Sequence, residues 1–248
     1  MTEPAKNAAL RAKALPAAGR GKAPPAGGRS GGEAKAERAS ERRRQIVRAM
    51  LEVVAERGYD GASVVEVARR AGLASGLVHY YFRDKLAIAC ALVEHVGAVA
   101  AEREAERLAR APEGGRSMAL LDAYLARGSG AAPAVVACWV ALGAEAVRQP
   151  EVQQAYGRVL GDVAARLGTL LCLDGVSTPA SARRDAAALV AAMQGYFQLS
   201  VASPGLVPEG SAAESVRAML GGLRARADAA RGVVTGVGEA GAPPSGRR

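Results

Sequence analysis

The chain has 248 residues, half of them apolar and only nine aromatic, with a formal net charge of +9. That length can bury a sizeable core, and the scarcity of aromatics makes the core aliphatic. No apolar run reaches the roughly 18 residues of a membrane-spanning helix, since the best stretch, 86–101, is broken by Glu94 and His95. The basic N-terminus has no apolar segment behind it, which argues against a secretory signal. Abundant alanine and few β-branched runs point to an all-α protein.

Residues 1–39 are rich in Ala, Gly, Pro and basic residues and have no hydrophobic period, so they are expected to be disordered. Residues 1–44 hold eleven Lys and Arg against four Glu, which places most of the net charge there. Such a segment is either a solubilising tail or a basic arm along DNA phosphates. Arg43 and Arg44, joined directly to the first helix, favour the arm. That helix is expected over 40–57, with Ile46, Val47, Met50, Leu51 and Val54 as its apolar stripe and Gly58 as its stop.

Ser63 and Glu66 form an S-x-x-E capping box at the start of a second helix. Val64, Val67, Ala68 and Ala71 share one face of it, and Gly72 ends it. A short third helix carries Val78 and Phe82 inward. Two short helices with a glycine between them describe a helix-turn-helix. The outward residues Ser75, Gly76, His79 and Tyr80 are small or hydrogen-bonding, whereas a face meant for water alone is more often Lys and Glu. Tyr81 and Lys85 suit phosphate oxygens, His79 or Tyr80 suit base edges, and Gly76 lets the backbone approach a groove. The plain alternative is an ordinary amphipathic surface.

The motifs Gly58-Tyr59-Asp60, Ser63-Val64-x-x-Val67-Ala68, Ala71-Gly72-Leu73 and His79-Tyr80-Tyr81-Phe82-x-x-Lys85 resemble the DNA-binding domain of the TetR family of bacterial repressors. The resemblance covers 42–90 without a gap. It implies DNA contacts from Arg43, Arg44, Ser63, Ser75, Gly76, Leu77, His79, Tyr80, Tyr81 and Lys85, with Tyr81 and Lys85 on phosphates. Ala74 and Leu77 depart from the Ser or Thr usual in the family, so Ser75 is expected to serve as a shifted cap.

A long helix follows, capped by Asp84 and reaching about residue 110 before Pro112 and Gly114-Gly115. Five more are expected over 116–126, 134–149, 151–173, 179–200 and 208–231, with 232–248 disordered. The division is therefore a basic arm (1–39), a helix-turn-helix domain (40–86), a helical effector and dimerisation domain (87–231) and a tail. The second half also resembles the C-terminal domain of repressors that control glycine-betaine synthesis from choline, through Trp139, the turn Arg148-Gln149-Pro150 and residues 182–203.

Leu121, Tyr124, Trp139, Leu142, Tyr156 and Leu160 are either plain core or the lining of a ligand cavity. A quaternary ammonium ligand needs an aromatic cage, and aromatics are few. Leu189, Met193, Tyr196, Phe197, Val216, Met219, Leu220 and Leu223 exceed what one terminal hairpin needs and suggest a homodimer interface. Cys90, Cys138 and Cys172 are odd in number, widely spaced and in apolar context. They read as reduced core cysteines of a cytoplasmic protein, with a thiol sensor as the alternative.

No nucleophile, phosphate-loop, dinucleotide or metal-ligand pattern is present, so neither an enzyme nor a cofactor is expected. The sequence reads as a dimeric repressor that binds a near-palindromic double-stranded DNA site and is released by a small effector. It would be cytoplasmic, and on the nucleoid when bound. The competing reading is a helical small-molecule carrier or interaction protein whose arm binds nucleic acid non-specifically.

Overall fold

Helices account for all the regular structure in the computed structural model, which describes residues 31–125, 132–208 and 210–236. In chain order they are α1 (Gly31–Arg57), α2 (Val64–Ala71), α3 (Ser75–Tyr81), α4 (Lys85–Leu108), α5 (Arg116–Leu125), α6 (Pro133–Ala146), α7 (Pro150–Leu173), α8 (Ala182–Ala202) and α9 (Ser211–Gly236). The expected all-α class holds.

Most boundaries follow local chemistry. Asp84 caps α4, its carboxylate accepting the Ala87 N–H at 2.7 Å. Gly72 ends α2 in the left-handed region at φ 67°, where a Cβ would be strained. Pro133 and Pro150 open α6 and α7 one residue earlier than expected, because proline has no N–H to satisfy and its φ already suits the first helical position.

Two expectations of disorder are corrected. α1 begins at Gly31, so 31–39 is helical. The Gly and Pro residues lie before position 33, whereas 33–39 (EAKAERA) consists of strong helix formers that a composition average conceals. At the other end α9 continues to Gly236. The outer arm (1–30), the expected turn at 126–131 and the tail (237–248) lie outside the described residues.

Two apolar clusters organise the helices. The first joins Ile46, Met50 and Val53 of α1, Val67 of α2, Val78 of α3 and Ile88 and Leu92 of α4 with Trp139 and Leu142 of α6 and Val152 of α7. The second joins Leu120 and Leu121 of α5, Leu167 and Leu171 of α7, Leu189 and Met193 of α8 and Val216 and Leu220 of α9. α1 thus rests on α6 as well as on α2 and α4. Gly97 allows α4 and α7 to approach closely, since a Cβ there would meet both Val159 methyls at 2.9 Å.

Candidate nucleic-acid interface and ligand cavity

At the α1–α3 end, buried residues hold α3 from behind and leave its outer face bare. Val78 and Phe82 are buried, while Gly76, Leu77, His79 and Tyr80 are exposed, Tyr80 to 76%. Nothing lies within 4 Å of where a Gly76 Cβ would stand, so the glycine is not required by packing within the chain. Tyr81 meets Tyr80 edge-on at 5.1 Å between ring centroids.

Several expected DNA-contacting residues also serve the fold. The Arg43 guanidinium donates to the Tyr81 carbonyl at 2.7 Å and lies 4.3 Å over the Phe82 ring, clamping the C-terminus of α3 to α1. Arg44 pairs with Glu41, which also takes Arg48. The Lys85 ammonium donates to the Tyr59 carbonyl at 3.1 Å, over the Tyr59 ring.

The capping box is half formed. Ser63 Oγ accepts the Glu66 N–H at 3.1 Å, but the Glu66 carboxylate turns to Arg69 and Arg57. Ser75 is not the cap of α3. Ala74 holds that position without a side-chain bond, and Ser75 is the first helical residue. Sequence reading missed two further struts. Gln45 Nε2 donates to the Ala71 carbonyl at 2.7 Å, and Arg70 bridges Glu52 and Glu56. These struts mount α2 on α1.

Between α4, α6, α7 and α8 lies a cavity of about 50 Å³. Its walls include Val96, Gly97 and Ala100 of α4, Val135 and Trp139 of α6, Val159 and Leu160 of α7 and Met193 and Phe197 of α8, with Tyr124 at the α5 side. Trp139 stacks on Tyr156 with centroids 4.2 Å apart. Gln194 Oε1 accepts from Trp139 Nε1 at 2.8 Å and from the Tyr156 hydroxyl at 3.1 Å. Burial raises the Tyr156 phenol well above its ordinary pKa, so it stays a hydroxyl.

Of the expected pocket residues, Tyr124, Trp139 and Leu160 line this space. Leu121 and Leu142 are fully buried core, and Tyr156 supports the wall from behind. The expected dimer interface needs correction as well. Leu189 and Met193 of α8 are buried in their own protomer against α7, and Val216 and Leu220 of α9 against α5 and α8, and Met193 and Phe197 face the cavity. An apolar stripe reports burial, not what buries it. Of the eight residues proposed, Met219 is exposed, while Tyr196, Phe197 and Leu223 are half-buried against the second cluster. Burial pushes the Cys138 thiol up to about 12, in keeping with a structural cysteine.

Arg103 was not anticipated as a cavity residue. It follows Val96 and Ala100 on the same face of α4, with Arg107 next along it, and a cation that ends an apolar stripe was the available signal. Among the described residues, no group of His, Cys, Asp or Glu is placed to hold a metal ion. No helix there is long and apolar enough to cross a membrane.

Comparisons with known proteins agree with this geometry. Residues 46–92 match the model of bacterial regulatory proteins of the tetR family, and residues 113–225 match that of the C-terminal part of BetI-type transcriptional repressors. The HTH-type transcriptional regulator BetI of Escherichia coli is 32% identical over 125 residues, which are 48% of this chain and 64% of the relative. The match thus spans slightly less than two thirds of that protein.

Among solved structures, a transcriptional regulator from Rhodococcus sp. Rha1 superposes with a TM-score of 0.65 at 24% identity, covering 73% of this chain and 95% of the other. A transcriptional regulator from Saccharomonospora viridis, crystallised in complex with choline, gives 0.57 at 21% identity over 72% of this chain and 94% of its own. At such identities the structural likeness concerns the fold. Together, the two family models take in α3 and the α6, α7 and α8 walls of the cavity, and the chain belongs to the TetR family of bacterial regulatory proteins.

Proposed function

We propose that this protein is a sequence-specific DNA-binding repressor, active as a homodimer and released from a near-palindromic operator by a small molecule that enters the cavity between α4, α6, α7 and α8. The observation that carries the reading is the position of α4. It begins at Lys85, just after α3 ends at Tyr81, and forms a cavity wall from Val96 to Arg103. A ligand that displaces the far half of this helix moves the Lys85 end, where the ammonium grips Tyr59. In a dimer the two movements add, changing the distance between recognition helices.

Gly76, Leu77, His79 and Tyr80 are assigned to the major groove, and Tyr81 and Lys85 to phosphates. One short recognition helix touches too few bases alone, which favours symmetric half-sites about one helical turn apart or a multiple of it. The exposed Met219 of α9, with the half-buried Tyr196 of α8 and Leu223 of α9, supports an isologous interface. A charge at Met219, 43% exposed, is a better test of that interface than one at Phe197, which faces the cavity.

The deciding experiment is selection of bound duplexes from a genomic pool, followed by gel shifts against random duplexes at stated salt. A preferred near-palindrome bound by a dimer is expected. Equal affinity for selected and random DNA, or monomers by light scattering at micromolar concentration, would defeat the reading. By linkage, an effector must bind free dimer more tightly than operator-bound dimer, by the factor with which it weakens DNA binding.

A further inference from the structure

The cavity contains an electrostatic imbalance. Fourteen of the described residues line it, and Arg103 is the one formally charged side chain among those. Its Nε is buried without a hydrogen-bond partner among the described residues. The adjacent carboxylate on α4 is unavailable, because Glu104 takes both arms of Arg166, at 2.7 and 2.9 Å, and the Tyr124 hydroxyl at 3.2 Å.

A guanidinium taken partly out of water without a partner is costly. Burial accordingly holds the Arg103 pKa below its ordinary value, although the group remains cationic. A cation so placed is matched by an anion, which a guanidinium can grip with two parallel hydrogen bonds. The rest of the wall is aliphatic or aromatic, and the Gln194 carbonyl is already occupied by Trp139 and Tyr156.

We propose that the cavity is an anion site for a small amphipathic carboxylate, with its head on Arg103 and its apolar tail among Val135, Val159, Leu160 and Phe197. The assignment rests on the effector reading above and specifies its chemistry. A quaternary ammonium, the kind of ligand present in the Saccharomonospora viridis regulator, would enter here without a carboxylate to meet it and with Arg103 opposing it. The stack of Tyr156 on Trp139 also covers one of the faces that a cation would use. The narrow volume, about 50 Å³, favours a short tail.

Trp139 is the chain's single tryptophan, so its emission reports directly on the cavity wall. Butanoate, hexanoate and octanoate, their neutral amides and choline would be titrated into the full-length dimer. Gel shifts on the selected operator would be run in parallel. At least one alkanoate is expected to change the emission saturably, with its amide and choline binding about tenfold weaker or more.

Arg103→Met should erase the preference for carboxylate over amide, and Arg103→Lys should retain part of it. Thermal melts of both variants would establish folding, with Arg103→Met expected to match or exceed the parent in Tm. Choline or an amide binding as tightly as its carboxylate, no alkanoate binding at all, or undiminished carboxylate binding by Arg103→Met would each overturn the anion site. Choline that binds and weakens operator binding would spare the effector reading while removing this one. A carboxylate that needs Arg103 yet leaves DNA affinity unchanged would do the reverse.

Discussion

The two apolar clusters manage charge in opposite ways. Around the first, ionic groups other than Glu145 stay at the surface and act as struts between helices. Arg70 reaches Glu52 and Glu56, Arg43 reaches the end of α3, and Lys85 covers Tyr59. Around the second, carboxylates are buried and individually satisfied. Asp174 accepts both the N–H and the hydroxyl of Ser117 at 2.6 Å, Asp185 takes Arg226 and Ser177, and Glu104 takes Arg166. Glu145, near Tyr59, is the buried carboxylate closer to the first cluster. Exposed struts contribute little each, so the DNA end depends on apolar packing. The far end depends on polar groups whose partners cannot be removed without penalty.

The comparison breaks most visibly at Phe82. It is buried and also lies beneath Arg43, so Phe82→Ala should cost about 3–5 kcal/mol. Because the first cluster includes Trp139, tryptophan emission and far-UV circular dichroism should show one coincident urea transition at lower midpoint. Separate transitions would mean that the DNA end unfolds alone.

A smaller effect is expected at Asp185. Burial would raise its carboxyl, but the Arg226 guanidinium and the Ser177 and Ser181 hydroxyls hold it below the ordinary value. A depressed pKa adds stability above the unfolded value of about 4 and loses it as pH falls through the folded value. Asp185→Asn should therefore melt below the parent near neutrality, by about 1–2 kcal/mol. The gap should close as the pH drops below about 4. A gap independent of pH would show that shape rather than charge matters there.

Lys85→Ala should cost about 1 kcal/mol or less in stability. It should weaken binding to all duplexes alike, and the slope of log affinity against log salt should fall by about 1. Altered base preference with an unchanged slope would contradict the phosphate assignment. The smallest stability effect belongs to Gly76. With open space at its Cβ, Gly76→Ala should be neutral or stabilising by up to about 1 kcal/mol. It should still weaken operator binding if the α3 backbone approaches the groove. Unchanged operator affinity would remove that assignment.

What was legible in the sequence was whatever local chemistry decides. Asp84, Gly72 and the Val78–Phe82 pair each signalled its role through residue type and spacing, and the helix-turn-helix followed. Contacts across sequence were not legible. Nothing near Arg43 indicates that its guanidinium turns inward to Tyr81, and nothing near Val216 or Leu220 distinguishes burial against α5 and α8 from burial against another chain. Arg103 lay between these cases. Its place on the apolar face of α4 was visible, but Glu104's commitment to Arg166 emerges only in three dimensions.

The way α1 rests on α6 bears on how such regulators can be recombined. Trp139, Leu142 and Ala146 of α6, with Val152 and Ala155 of α7, complete the same cluster as Ile46 and Met50. A chimera joined at the end of α4 would strip that side of α1 and replace it with a stranger's surface. Grafts that keep α6 and the first turns of α7 with their own α1, and exchange only α5, α8 and α9, leave the buried residues of this cluster intact provided the new α8 keeps Gln194 and Phe197. Inherited change should follow the same seam, with the rest of the cavity's α8 wall free to diversify while its Trp139 wall stays tied to the helix that carries the DNA-reading unit.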